Sequence, residues 1–208
     1  MRERKTSSDR KAEIVEATLL LVAELGPERV TTQAVANRVG ISQPGVFRHF
    51  PAKSDLWEAV ADWVVEAATR RWEAALEPPG DALQDLQAVI KAQMEFIQET
   101  PAVPGLIFSQ ELHNENRQLR MAFDGLARRF HDLLTKLVGQ AQDQGILPGR
   151  FAAEDLASLL LTLTPGLAIR WSLGGHSFHL AEKGQQLLSI LLSCLSQATP
   201  QQGGRSHV

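Results

Sequence analysis

The run TTQAVANRVGISQPGVFRHFPAKSDL, Thr31 to Leu56, decides how this chain is read. Thr31 or Thr32 can cap a short helix that turns Val35, Ala36 and Val39 to one side and stops at Gly40, where a left-handed residue costs little. Ser42 can cap a second helix, Gln43 to His49, with Pro44 in its first turn, where the missing N–H is no loss. Pro51 breaks that helix. Two short helices joined tightly through Gly40 and Ile41 make a helix-turn-helix corner, with Phe50 and Leu56 read as its buried residues.

Outward from this corner nearly every apolar stripe repeats at three and four residues, the signature of helix, and no window alternates long enough for a strand. On the N-terminal side, Ser7, Ser8 and Asp9 are cap candidates for a helix carrying Ile14, Ala17, Leu21, Val22 and Leu25, stopped by Gly26-Pro27. On the C-terminal side a long helix from Lys53 carries Leu56, Val60, Trp63, Val64 and Ala67 and stops before Pro78-Pro79-Gly80. Five more follow: one opened by Asp81, a short one from Leu106 to Leu112, a long one ending at Gly145, the very apolar Ala152 to Trp171, and a last with Leu187, Leu188, Leu191, Leu192 and Leu195. The expected fold is all-α, about nine helices, with a three-helix head at 1–52, a helical body at 53–197 and a disordered tail at 198–208.

Composition excludes several classes. Of 208 residues 44% are apolar and 22% charged, a globular profile and not a disordered or fibrous one. The longest uncharged stretch, Leu156 to Ile169, falls short of the roughly 20 apolar residues that cross a bilayer, so no membrane span is expected. The basic N-terminus runs into an amphipathic segment and not a signal-peptide core, which places the protein in the cytoplasm. The lone Cys194 reads as a small buried hydrophobe. Residues 1–57 hold nine bases and seven acids whereas the whole chain is at −3, so a mildly basic head sits on an acidic body. No metal is expected, because Glu111-Leu112-His113 and the His176, His179 pair lack the clustering of a ligand set. Neither a nucleophile motif nor a phosphate loop is present, so neither an enzyme nor a cofactor is expected.

The Thr31–Leu56 run resembles, without gaps, the DNA-binding segment of the TetR family of bacterial transcriptional repressors: a Thr-capped helix, then Gly-hydrophobic-Ser, then the His49-Phe50 pair, Lys53 and Leu56. Two positions depart from that pattern. Phe47 stands where the family usually has a tyrosine, and Ala52 stands where a serine commonly caps the following helix. A helical adaptor whose corner is mere packing is the other reading weighed, and it leaves the ungapped match unexplained.

The resemblance implies a homodimer that binds double-stranded, pseudopalindromic operator DNA as a repressor and is released by a small-molecule effector. Groove geometry then assigns roles. Thr32, Ser42, His49 and Lys53 suit phosphates; Gln43 suits adenine and Arg48 guanine; Gln33 and Phe47 flank them, and Pro44, Gly45 and Val46 let the helix approach thymine methyls. A lipophilic effector is expected among Trp63, Gln93, Met94, Phe108, His113, Met121, Phe123, Arg170 and Trp171. The dimer interface is expected at Leu159, Leu163, Leu167, Leu188, Leu192 and Leu195. The helix from Lys53 passes Trp63 on its way into the body, which makes it the expected lever between effector and head.

Overall fold

Helix ends in this protein are set by the side chains that close them. In the computed structural model, which describes residues 6–197, the Thr6 hydroxyl accepts the Asp9 N–H at 3.1 Å while the Asp9 carboxylate accepts the Thr6 N–H at 3.0 Å. This reciprocal box opens α1 (Ser7–Leu25) one residue earlier than the Ser7–Asp9 candidates suggested. Gly26, at φ 81°, ends α1 and lets Pro27–Arg29 make a single 3-10 turn. Thr31 caps α2 (Thr32–Val39) through the Ala34 N–H, Gly40 turns the chain at φ 74°, and Ser42 caps α3 (Gln43–His49) through the Gly45 N–H at 3.2 Å.

The body is built from α4 (Lys53–Ala75), α5 (Ala82–Glu99), α6 (Ala102–Phe108), α7 (Gln110–Glu115), α8 (Arg117–Asp143), α9 (Ala153–Leu173) and α10 (Leu180–Gln197). Ten helices and no strand thus occur among the described residues, one helix more than the periodicity indicates. The extra one comes from the short segment before Arg117. Ser109 there is extended, at φ −72° and ψ 100°; it closes α6 and caps α7 by accepting the Leu112 N–H. Apolar spacing alone does not see such a break, because both halves keep a buried face. The expected tail, 198–208, lies outside the described residues.

On α4 the residues Leu56, Val60, Val64, Ala68 and Trp72, four apart, are all buried and carry one core from the head into the body. α5 lies between α4, α8 and α10, and α8 packs along α9. Where α5 meets α10 the Met94 side chain packs onto the Gly184 backbone: a Cβ on Gly184 would stand 3.0 Å from Met94 Cγ. The Gln98 Oε1 accepts the Leu180 N–H at 2.7 Å, so α5 also closes the start of α10. α9 is, by length and composition alone, apolar enough to cross a bilayer. One helix of this kind is also what a core helix of a packed α-helical protein looks like, so it is no sign of a membrane span. Only 39% of the most apolar 18-residue stretch of α9 is buried, so much of its apolar character faces outward.

Candidate functional site

In the head, α3 projects from the corner with one face in the core and the other open. Val46 is 1% exposed and belongs to the core face, against its assignment to thymine contact: successive residues of a helix rotate by about 100°, so residues 43 to 49 cannot all face outward. On the open face lie Pro44, Phe47 and Arg48, with Gln43, Gly45 and His49 half-buried beside them. Gln43 is held in place by its neighbour helix, its Nε2 donating to the Thr32 hydroxyl at 2.8 Å. Oε1 and the second amide hydrogen make no hydrogen bond among the described residues. Arg48 makes no hydrogen bond or ion pair among the described residues. Gln33 bonds along its own helix to Asn37 at 2.8 Å and stays exposed. Lys53, at the start of α4, reaches over the Trp57 ring at 5.9 Å. Ala52 supplies no capping oxygen, but the other half of the box survives, the Asp55 carboxylate accepting the Ala52 N–H at 2.8 Å.

Arg38, also basic and exposed, is occupied elsewhere. Both its terminal nitrogens donate to the Glu24 carboxylate of α1, at 3.0 and 2.5 Å. These hydrogen bonds hold the Glu24 carboxyl below, and the Arg38 guanidinium above, their ordinary pKa values. The pair links α2 to α1, whereas Arg48 on α3 has no ion pair among the described residues.

In the body a cavity of about 130 Å³ lies between α4, α5, α6, α8 and α9. Of the nine expected effector residues it gathers three: Gln93, Phe108 and Phe123. The others are elsewhere for identifiable reasons. Met94 is filled against Gly184; Trp171 is buried beneath His176, ring centroids 4.1 Å apart; and Arg170 lies on the surface over Phe178. Met121 is 52% exposed. His113 stacks on Phe123 behind the wall, with Nε2 bonded to the Leu106 carbonyl at 2.9 Å. Trp63 lines a surface cleft with Leu19, Leu20 and Pro101. The cavity tryptophan is Trp72, stacked on Phe130 at 4.7 Å. The spacing of four through Leu56, Val60, Val64 and Ala68 leads to Trp72 and could have identified it. Thr164, Pro165 and Ala168 of α9 complete one wall, and α6 gives Val103, Pro104, Ile107 and Phe108.

The opposite side of α6 touches the head. A Cβ on Gly105 would lie 3.5 Å from Pro27 Cδ, and the Ser109 hydroxyl donates to Glu28 Oε1 at 2.6 Å. α6 therefore stands between the cavity and the turn that precedes α2.

On α9 and α10 the expected interface divides in two. Leu167, Leu188 and Leu192 are at most 8% exposed and serve the chain's own core, so their assignment to a partner surface is corrected. A doubled leucine stripe spends one half on its own domain. Leu159 at 47% and Ile190 at 60% are exposed, with Leu163 and Leu195 half-buried. Cys194, read as buried, is exposed. His176 and His179 lie in the loop before α10, and among the described residues no group of three or more His, Cys, Asp or Glu side chains is placed to hold a metal.

Residues 14–60 match the bacterial regulatory proteins of the tetR family, and residues 82–196 match the C-terminal domain of BetI-type transcriptional repressors. The nucleoid occlusion factor SlmA of Vibrio vulnificus is 26% identical over 188 residues, covering 88% of this chain and 94% of that protein. Among solved structures, a putative transcriptional regulator from Saccharomonospora viridis in complex with choline has TM-score 0.79 and 23% identity, covering 89% of this chain and 96% of that one. The transcriptional regulator FadR from Bacillus subtilis in complex with stearoyl-CoA has TM-score 0.74 and 15% identity, covering 88% and 97%.

Proposed function

Because the chain belongs to the TetR family of bacterial transcriptional regulators, we propose that it is a homodimeric repressor that leaves its operator when a small apolar effector fills the body cavity. Residues 1–52 read the DNA in this proposal, and residues 53–197 bind the effector and the second copy. The protein works in the cytoplasm, where its DNA is, and by binding without catalysis. One observation carries the effector reading: α6 lines the cavity with one face and touches the head with the other. The solved neighbours that hold choline and stearoyl-CoA support a body built to take small molecules.

The operator contacts proposed are Gln43 and Arg48 to bases, Pro44, Gly45 and Phe47 in close approach, and Thr32, Gln33, Ser42, His49 and Lys53 at the backbone. A single α3 reads few bases, so two copies on a two-fold axis read a pseudopalindrome with half-sites about 34–36 Å apart. The proposed dimer face is Leu159 and Leu163 of α9 with Ile190 and Leu195 of α10. Gly166 and Thr162, exposed on the same side of α9, permit close approach.

Selection of bound duplexes from a random pool tests this reading. Enrichment of one pseudopalindrome, with affinity falling by about 0.9 log units per log unit of salt for each neutralised phosphate, is the expected result. A pool left unenriched removes it. The relatives described as nucleoid occlusion factors favour a second reading, in which this chain acts on the nucleoid and not on a gene. Mapping bound sites on the chromosome separates the two: a few promoter sites fit the repressor, and sites spread around the chromosome fit the occlusion factor.

A further inference from the structure

One amide sets what the cavity can hold. Gln93 is 8% exposed and lines the cavity, and its Oε1 accepts the Trp72 indole N–H at 2.8 Å. An indole nitrogen donates and does not accept, so the amide has one orientation, with oxygen toward Trp72 and the –NH₂ turned away. Gln93 Nε2 has no hydrogen bond among the described residues, yet no fully enclosed side-chain nitrogen or oxygen there lacks a partner. The –NH₂ therefore has open space before it, and the space beside Gln93 is the cavity.

The remaining lining narrows the choice. Among the described residues no charged side chain lines the cavity, and the other polar side chains there are Thr164, whose hydroxyl donates to the Leu160 carbonyl at 3.3 Å, and Trp72, whose N–H is used. A buried anion would find no cation. A buried ammonium would meet the amide hydrogens of Gln93 and no carboxylate, and the Trp72–Phe130 stack covers one face of each ring. An unpaired buried charge costs more than such a pocket returns. At about 130 Å³ the cavity is near the size of one that takes up a benzene molecule, about 150 Å³.

We propose, on the reading of this cavity as the effector site, that it selects a compact, uncharged, largely apolar molecule with one oxygen acceptor, a carbonyl, ester or hydroxyl, that takes the hydrogen bond from Gln93 Nε2. Trp72, Phe123 and Phe130 hold the hydrocarbon part, and Phe108, 44% exposed, stands at the mouth.

Calorimetric titration of the full-length protein with four probes of similar shape tests this: acetophenone, cumene, benzoate and trimethylphenylammonium. Acetophenone should bind about tenfold more tightly than cumene, and both charged probes more weakly than cumene. Gln93→Leu should erase the acetophenone advantage and leave cumene unchanged. Should that variant not fold, Trp72→Phe keeps a ring, frees the amide to turn over and should narrow the advantage, whereas Trp63→Phe should not. Equal binding of acetophenone and cumene, tightest binding of a charged probe, absence of binding, or an advantage unchanged in Gln93→Leu or Trp72→Phe would each overturn the proposal. Operator affinity is measured separately with each probe. Probes that bind in the proposed order without altering operator affinity leave the ligand class standing and sink the release reading.

Discussion

At the residue scale the head depends on a few groups placed before any DNA arrives. The hydrogen bond from Gln43 to Thr32 removes rotamers that Gln43 would otherwise lose on binding. Thr32→Val keeps the shape and cuts that bond, so, beyond the sequence-independent loss of the Thr32 backbone contact, base discrimination at the Gln43 position should fall, by up to the roughly 1–3 kcal/mol a bidentate contact gives. Lys53→Ala should instead weaken all sequences alike and lower the salt slope by about one. Competition binding against single-base operator variants, at two salt concentrations, distinguishes the two effects. Ala52→Ser should restore the missing half of the α4 cap and raise stability by about 0.5–2 kcal/mol, read as a higher midpoint in urea.

The Glu24–Arg38 pair gives a pH dependence of known sign. The Glu24 carboxyl titrates below its ordinary 4.5 in the folded head, so its stabilising contribution is present above that value and disappears as pH falls through the lower folded one. Urea midpoints of the native protein and Glu24→Gln should differ at neutral pH and converge at the acid end. A difference that persists at low pH would mean that the pair does not fasten α2 to α1.

At the element scale, α6 replaces α4 as the expected carrier of the signal. The cavity meets α4 only at Trp72, near its far end from the head, whereas α6 touches cavity and head within one two-turn helix. Glu28→Ala removes the contact with Ser109 and leaves the α7 cap; Ser109→Ala removes both. The serine variant should therefore lose about 1 kcal/mol more from the cap, while both should reduce the effector's effect on operator affinity alike. Thermal melts read the first quantity, and operator titrations with and without effector read the second. Equal stability losses would mean that the Ser109 cap adds nothing to α7, and a release factor unaltered in Glu28→Ala would return the coupling to α4.

At the scale of the whole molecule, the two kinds of leucine on α9 and α10 should fail differently. Ile190 is 60% exposed and Leu188 is fully buried. Ile190→Glu should give a folded monomer with weak operator affinity, because only a carboxylate facing a partner is buried without a mate. Leu188→Glu places that charge in the protomer's own core and should unfold it, at several kcal/mol. Sedimentation and far-ultraviolet circular dichroism separate the outcomes, and an Ile190→Glu dimer would move the interface away from α10.

By itself the sequence determined what depends on neighbours in the chain. Caps, breakers and periodicity placed the helices, and the ungapped Thr31–Leu56 run marked the DNA-reading corner. Local hydrogen bonds of Thr31, Ser42 and Asp81 close within three residues, so their logic is visible in one dimension. Tertiary structure alone decided which buried residues meet. Met94 and Gln93 are adjacent on α5, yet a helix rotates each residue by about 100°, so one fills the space over Gly184 and the other faces the cavity. Leu188 and Ile190 diverge in the same way on α10, one inward and one out. Apolar character says that a side chain leaves water; which partner it leaves water for is fixed by the angle and register of a helix distant in sequence.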